Sequence, residues 1–201
     1  MPFYLTLTAI ALVWTSSAYA GIEATANCLQ GKVQSRQCKV MIDNYWQVEE
    51  AISRVAKSQG LDPLLVKALV AVESGYNHRA ISEKGARGLT QVMPATGELM
   101  GVNAVYLFEP ELNLTAGTRY LLAQWKTFRD WPLALAAYNA GPQAVIRYQG
   151  IPPYVETQNY VASVLWLYGQ FKHPSKNSPS LKLVGAPKHT NEIVVYAQNT
   201  Q

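Results

Sequence analysis

Glu73 is the side chain in this sequence best set for acid–base chemistry. It follows Leu69 by four positions and Leu65 by eight, so on a helix it lies beside the apolar stripe rather than opposite it. It also falls in the last turn before Gly75, where the helix macrodipole disfavours negative charge. Desolvation and the dipole both raise a carboxyl's pKa, and a carboxyl held neutral near pH 7 can act as a general acid. The plainer alternative is a half-exposed glutamate at its helix end. Further along the chain, Gln91 and Asn139 each offer donors and an acceptor, while Tyr138 and Tyr160 offer a flat apolar face with a polar tip. These too have structural alternatives: the tyrosines as core aromatics, Met93 as core filling, Asn139 as a helix C-cap before Gly141. Gln91, on an otherwise apolar turn, is harder to explain by packing.

The elements that must position these groups read as helices from residue 45 onward. Val48, Ile52 and Val55 recur at helical spacing after Tyr45, and Gly60 is a natural stop. Asp62 and Pro63 then form an N-cap and first position, and Leu64, Leu65, Ala68, Leu69 and Val72 continue an apolar stripe to Gly75. A loop rich in turn residues follows through Gly85 and Gly88, which let the backbone pass close to a bulky ligand. The sequence predicts a short helix from Met93 to Gly101, a helix over 115–129, and one from Pro132 to Asn139. A further helical turn from Pro142, a rigid Ile151-Pro152-Pro153 connector and a last helix from Glu156 to Phe171 complete the core. No period-2 strand pattern and no internal repeat interrupts it.

Four blocks then occur in order: Glu73-Ser74-Gly75; Ser82 to Thr96 around Gly85-Ala86-Arg87-Gly88-Leu89-Thr90-Gln91-Val92-Met93-Pro94; Ala136-Ala137-Tyr138-Asn139-Ala140-Gly141-Pro142; and Glu156-Thr157-Gln158-Asn159-Tyr160-Val161. With the minor features Asn113, Gly117 and Tyr120-Leu121, this closely resembles the soluble lytic transglycosylase family over residues 45–172. The resemblance implies a mainly α, lysozyme-like helical domain in which Glu73 is the catalytic acid/base. It further implies that Ser82, Gln91, Met93, Tyr138 and Asn139 line the saccharide or stem-peptide site, with Tyr160 close to the catalytic carboxyl. One departure stands out: Thr90 occupies a position where the family usually has Met, which puts local packing or a subsite contact in question.

Ordinary glycosidases use two carboxylates, and Glu83, between Ser82 and Lys84, reads as a solvated loop charge rather than a second one. The resemblance implies that Glu73 protonates the oxygen between N-acetylmuramic acid and N-acetylglucosamine. It then removes the C6 hydroxyl proton to close a 1,6-anhydro ring, with no metal or organic cofactor. Two other readings stay open: a goose-type hydrolytic lysozyme, and a wall-binding assembly factor of a secretion or conjugation machine. The implied partner is the peptidoglycan glycan strand, with such a machine as a second partner and no nucleic acid.

Composition bounds these expectations. The chain has 201 residues, 49% apolar and 15% charged, which reads as one globular domain with short appendages. Twelve Tyr and five Trp suit a sugar cleft but equally a helical core. Residues 1–20 carry no charged side chain and end in Ala18-Tyr19-Ala20, which fits a signal peptide and a periplasmic or secreted location without a stable membrane anchor; an uncleaved anchor is the alternative. An oxidising compartment favours pairing of the two cysteines, Cys28 and Cys38, within an N-terminal segment of residues 21–44 that precedes the first core helix. Residues 45–171 carry ten Lys/Arg and ten Asp/Glu, so the net charge of +4 belongs to the ends, chiefly to Lys172, Lys176, Lys182 and Lys188 against Glu192. The 173–201 tail, rich in Pro, Ser, Lys and Asn, reads as mostly unstructured; it either tethers the protein to an anionic wall or simply keeps it soluble.

Overall fold

The computed structural model describes residues 23–29 and 32–173. The expected signal peptide and nearly all of the basic tail lie outside these residues. Helix α1 occupies 23–29. It is followed by α2 (Arg36–Ser58), α3 (Pro63–Ser74), α4 (Pro94–Leu99), a 3-10 turn (Ala104–Tyr106), α5 (Pro110–Phe128), α6 (Trp131–Ala140), α7 (Pro142–Tyr148) and α8 (Val155–Lys172). Among the described residues the only extended pairing is two isolated bridges, Ile81 to Arg87 and Arg87 to Val92, which fold the 75–93 loop on itself.

Helix α3 is the axis of the fold. Asp62 caps it by accepting from the Leu64 N–H at 2.9 Å, Pro63 starts it, and Gly75 ends it in the left-handed region at φ 55°. Leu65 through Ala71 are all buried, so the helix is enclosed on every face and not only along one stripe. Helices α2 and α8 pack against it, α5 packs on α2 and α6, and α6 joins α8 and α7. Even Lys67 is enclosed there, its ammonium 4.4 Å from the Tyr45 ring centroid and 4.6 Å from that of Phe171.

The N-terminal segment corrects the expectation that both cysteines precede the first core helix. Ser35 caps α2 by accepting from the Cys38 N–H at 3.1 Å, and the helix starts at Arg36, so the expected boundary after residue 44 falls inside a continuous helix. Cys38 is buried in the first turns of α2 and is disulfide-bonded to Cys28 of α1. Ala26 and Leu29 of α1 belong to the main core, so the bond ties a packed helix to the body. The reason for the early start is local: the first turn of α2 is polar, and it forms on a side-chain cap without an apolar stripe. Similarly, α5 begins at Pro110, five residues before the expected start.

Candidate active site

Glu73 sits in the last turn of α3 with its side chain only partly exposed. Burial pushes its carboxyl up to about 7; a hydrogen bond from Tyr160 pulls the other way, and the charge of Glu156 adds to the rise. Tyr160, reaching across from α8, donates its hydroxyl to Glu73 Oε1 at 2.6 Å. That bond occupies one carboxyl oxygen, and among the described residues no protein donor is bonded to Oε2, so the acidic proton belongs there.

Tyr138 of α6 completes the cluster. Its hydroxyl donates to the Thr90 carbonyl at 2.7 Å, and its own pKa is raised well above 10 by burial first and then by the neighbouring Glu73 charge. Tyr160 is raised in the same way, by burial and then by Glu73 and Tyr138. Both phenols therefore stay neutral donors, and the fold brings Glu73, Tyr138 and Tyr160 together at one spot. Asn139 follows Tyr138 directly on α6, its Oδ1 accepting from Thr157 Oγ1 of α8 at 2.8 Å.

The loop that carries the remaining expected residues is held by the protein itself. The Ser74 hydroxyl, next to Glu73, donates to the Leu89 carbonyl at 2.8 Å. Asn113, fully buried in α5, accepts from the Thr90 N–H at 2.8 Å and donates to the carbonyls of Arg87 and Leu107, both at 2.8 Å. Gln91 adopts a left-handed φ of 48° and spends its amide on the carbonyls of Gly88 at 2.9 Å and Ala80 at 3.3 Å, which leaves Oε1 as its free acceptor. Ser82 closes a tight turn by accepting from the Ala86 N–H at 3.0 Å and keeps its hydroxyl proton to give. Met93 is 42% exposed at the N-cap of α4, which sets aside the core-filling reading. Among the described residues no hydrogen bond or ion pair joins Ser82, Gln91 or Met93 to the Glu73 cluster.

The structure corrects one expectation about this loop and decides between the alternatives of another. Gly88, at φ 74°, is tight against the Leu107 carbonyl and the Asn113 amide, so its missing Cβ serves internal packing and not a ligand. Thr90 is fully buried, donates to Asn113 Oδ1 at 2.7 Å, and lies against Gly117, where a Cβ would collide with it. Its side chain therefore changes the packing behind the site and makes no subsite contact. Sequence reasoning missed Thr157, whose partner Asn139 lies 18 residues away in the chain, and the structural role of Asn113, which reaches back 23 residues to Thr90 and 26 to Arg87. Glu83 is exposed as expected; Glu156 is also exposed and stands 3.9 Å from Lys84. A separate open depression of about 530 Å³ between His78, Arg79 and Ile81 and Phe108, Glu109 and Pro110 contains none of the expected site residues. Among the described residues no helix is long and apolar enough to cross a membrane.

Comparison with known proteins agrees with this geometry. The chain is 38% identical over 92 residues to the transglycosylase of Enterobacteria phage PRD1, a match covering 46% of this chain and 34% of that protein. The lytic transglycosylase Slt of Pseudomonas aeruginosa, solved as an inactive mutant with glutamine in place of a glutamate, superimposes with a TM-score of 0.57 at 31% identity. That match covers 62% of this chain and 24% of that one. The 70 kDa soluble lytic transglycosylase of Escherichia coli superimposes with a TM-score of 0.61 at 22% identity, over 85% of this chain and 35% of that one, and shares the lysozyme-like fold. The chain thus spans about a quarter to a third of the length of these relatives. The Transglycosylase SLT domain matches residues 50–161, more than half of the chain, and on that evidence together with the Glu73 cluster the protein belongs to this family.

Proposed function

We propose that the protein cleaves the β-1,4 bond between N-acetylmuramic acid and N-acetylglucosamine in peptidoglycan without consuming water. The observation that carries this reading is the 2.6 Å bond from Tyr160 to a Glu73 carboxyl held near pH 7 by burial. A single carboxyl poised at that value can give a proton and take one back. Glu73 Oε2 donates to the glycosidic oxygen, the bond to C1 of the muramic acid breaks, and the glucosamine side leaves as an alcohol. The substrate's acetamido oxygen stabilises the positive charge at C1. The Glu73 carboxylate then takes the C6 hydroxyl proton as O6 bonds to C1, which closes the 1,6-anhydro ring and restores the acid. Tyr160 donates to Oε1 throughout and holds the carboxyl in place through both transfers.

The hydrolytic alternative needs a carboxylate to activate water. Glu156 is the charged neighbour that Glu73 feels, but it is exposed and faces Lys84, which supports ring closure over hydrolysis. Similarity to a phage transglycosylase supports local opening of the wall for a larger machine, of the secretion or conjugation kind. The leader-like residues 1–20 and the Cys28–Cys38 bond support a periplasmic or secreted site of action. Replacing Glu73 with Gln should preserve the fold and lower turnover of purified sacculi by at least about a thousandfold, because an amide neither donates nor recovers the proton. Clearing of sacculi by the Gln variant at a comparable rate would refute the assignment.

A further inference from the structure

We propose that Thr157 is a positioning residue, whose buried hydroxyl locks the Asn139 amide so that its NH2 group is free for the glycan. This rests on the reading of the site given above. Thr157 is 2% exposed, and its Oγ1 lies 2.8 Å from Asn139 Oδ1. No other acceptor takes the Thr157 hydroxyl among the described residues, so donation to Oδ1 is what satisfies its proton in a place water does not reach. The opposite orientation, with the amide donating to Thr157, would bury a hydroxyl proton without a partner. With Oδ1 pinned, the amide cannot flip, and Nδ2 has a defined direction.

That nitrogen is open: among the described residues no protein acceptor takes the Asn139 NH2 group, and the one buried, unpartnered side-chain polar atom is Trp46 Nε1. Asn139 therefore presents two accessible donors next to Tyr138, the phenol that lies within the electrostatic reach of Glu73. Sugar hydroxyls and acetamido oxygens are the acceptors such a group suits. Thr157 and Tyr160 are three residues apart and share one face of α8. One turn of α8 thus orients both the acid and a neutral donor, each through a hydroxyl.

The test compares Thr157→Val, which keeps the shape and removes the hydroxyl, with Thr157→Ser, which keeps the hydroxyl. On soluble peptide-free glycan strands, T157V should raise KM about tenfold, the equivalent of about 1.4 kcal/mol, with kcat within about twofold, and T157S should restore the wild-type value. The pH limb set by Glu73 should not move, because Thr157 does not touch that carboxyl. Asn139→Ala should raise KM by itself, and adding T157V to it should cost nothing more. Thr157→Ala provides the same comparison if the Val variant does not fold. Calorimetric Kd values for the same glycan, measured with these changes in a Glu73→Gln background, read the effect without turnover. Unchanged KM and Kd in T157V, or an additional loss in the N139A background, would overturn the proposal. A hydrated rather than anhydro product would overturn the ring-closure reading while leaving the affinity comparison intact, so the two failures are distinguishable.

Discussion

At the scale of single residues, Glu73 is caught between burial, which favours its neutral form, and the Tyr160 hydroxyl, which favours its charged form. Burial wins, and the carboxyl is left near 7, close to where a group that must both give and take a proton is most effective. In the proposed mechanism the free enzyme must hold the proton, so kcat/KM should fall as pH rises through about 7. Tyr160→Phe removes the one contact that lowers this pKa, so the falling limb should shift to higher pH in that variant. A limb that stays put or moves down would show that Tyr160 does not act on the carboxyl. Gln91 illustrates the opposite case: a residue expected to serve the ligand spends both amide hydrogens on its own loop.

At the scale of elements, the site exists because α3 delivers Glu73 from inside the core while α8 brings the Tyr160 hydroxyl to it and α6 brings Tyr138 within its electrostatic reach. The Asp62 cap, the Gly75 stop and the placement of Glu73 in the last turn were legible, since each obeys a rule spanning a few residues. The start of α2 was not, because Arg36, Gln37 and Lys39 offer no apolar stripe and only the Ser35 cap marks it. Contacts between distant elements were legible only through resemblance, as for Tyr160, or not at all, as for Thr157 on Asn139 and Asn113 on Thr90. The disulfide belongs to this scale. It fastens α1, with Ala26 and Leu29 in the core, to α2, and it lies on the chain far from Glu73. Replacing both cysteines with Ser should cost about 2–3 kcal/mol in a urea unfolding curve while leaving sacculus turnover within about twofold. Loss of activity in the folded variant would mean that α1 takes part in the site.

At the scale of the whole molecule, two buried ionisable groups on α3 set how stability varies with pH. Glu73 has its pKa raised from 4.5 to about 7, so the folded state binds more protons between those values and stability falls as pH rises through them. Lys67 has its pKa lowered from 10.5 to about 8, chiefly by burial, so the unfolded state binds more protons between 8 and 10.5 and stability rises there. The molecule therefore carries both penalties at pH 7–8, where its stability should show a trough. Glu73→Gln should be more stable than the wild type at pH 7.5 by on the order of 2–3 kcal/mol, and equal to it near pH 4. Urea unfolding of both proteins at pH 4, 7.5 and 10 reads this directly, and a constant difference across the range would contradict it. The Glu73 carboxyl is in this sense a stability cost that the enclosing helices absorb.

If one carboxyl closes a ring on the substrate itself, the sugar ends that it leaves must carry the record. Purified sacculi treated with the protein should release fragments whose mass spectra show muramic acid ends one water lighter than hydrolysis gives, with no uptake of heavy oxygen from labelled water. Fragments at the hydrated mass, carrying the label, would contradict the account and assign the Glu73 site to hydrolysis.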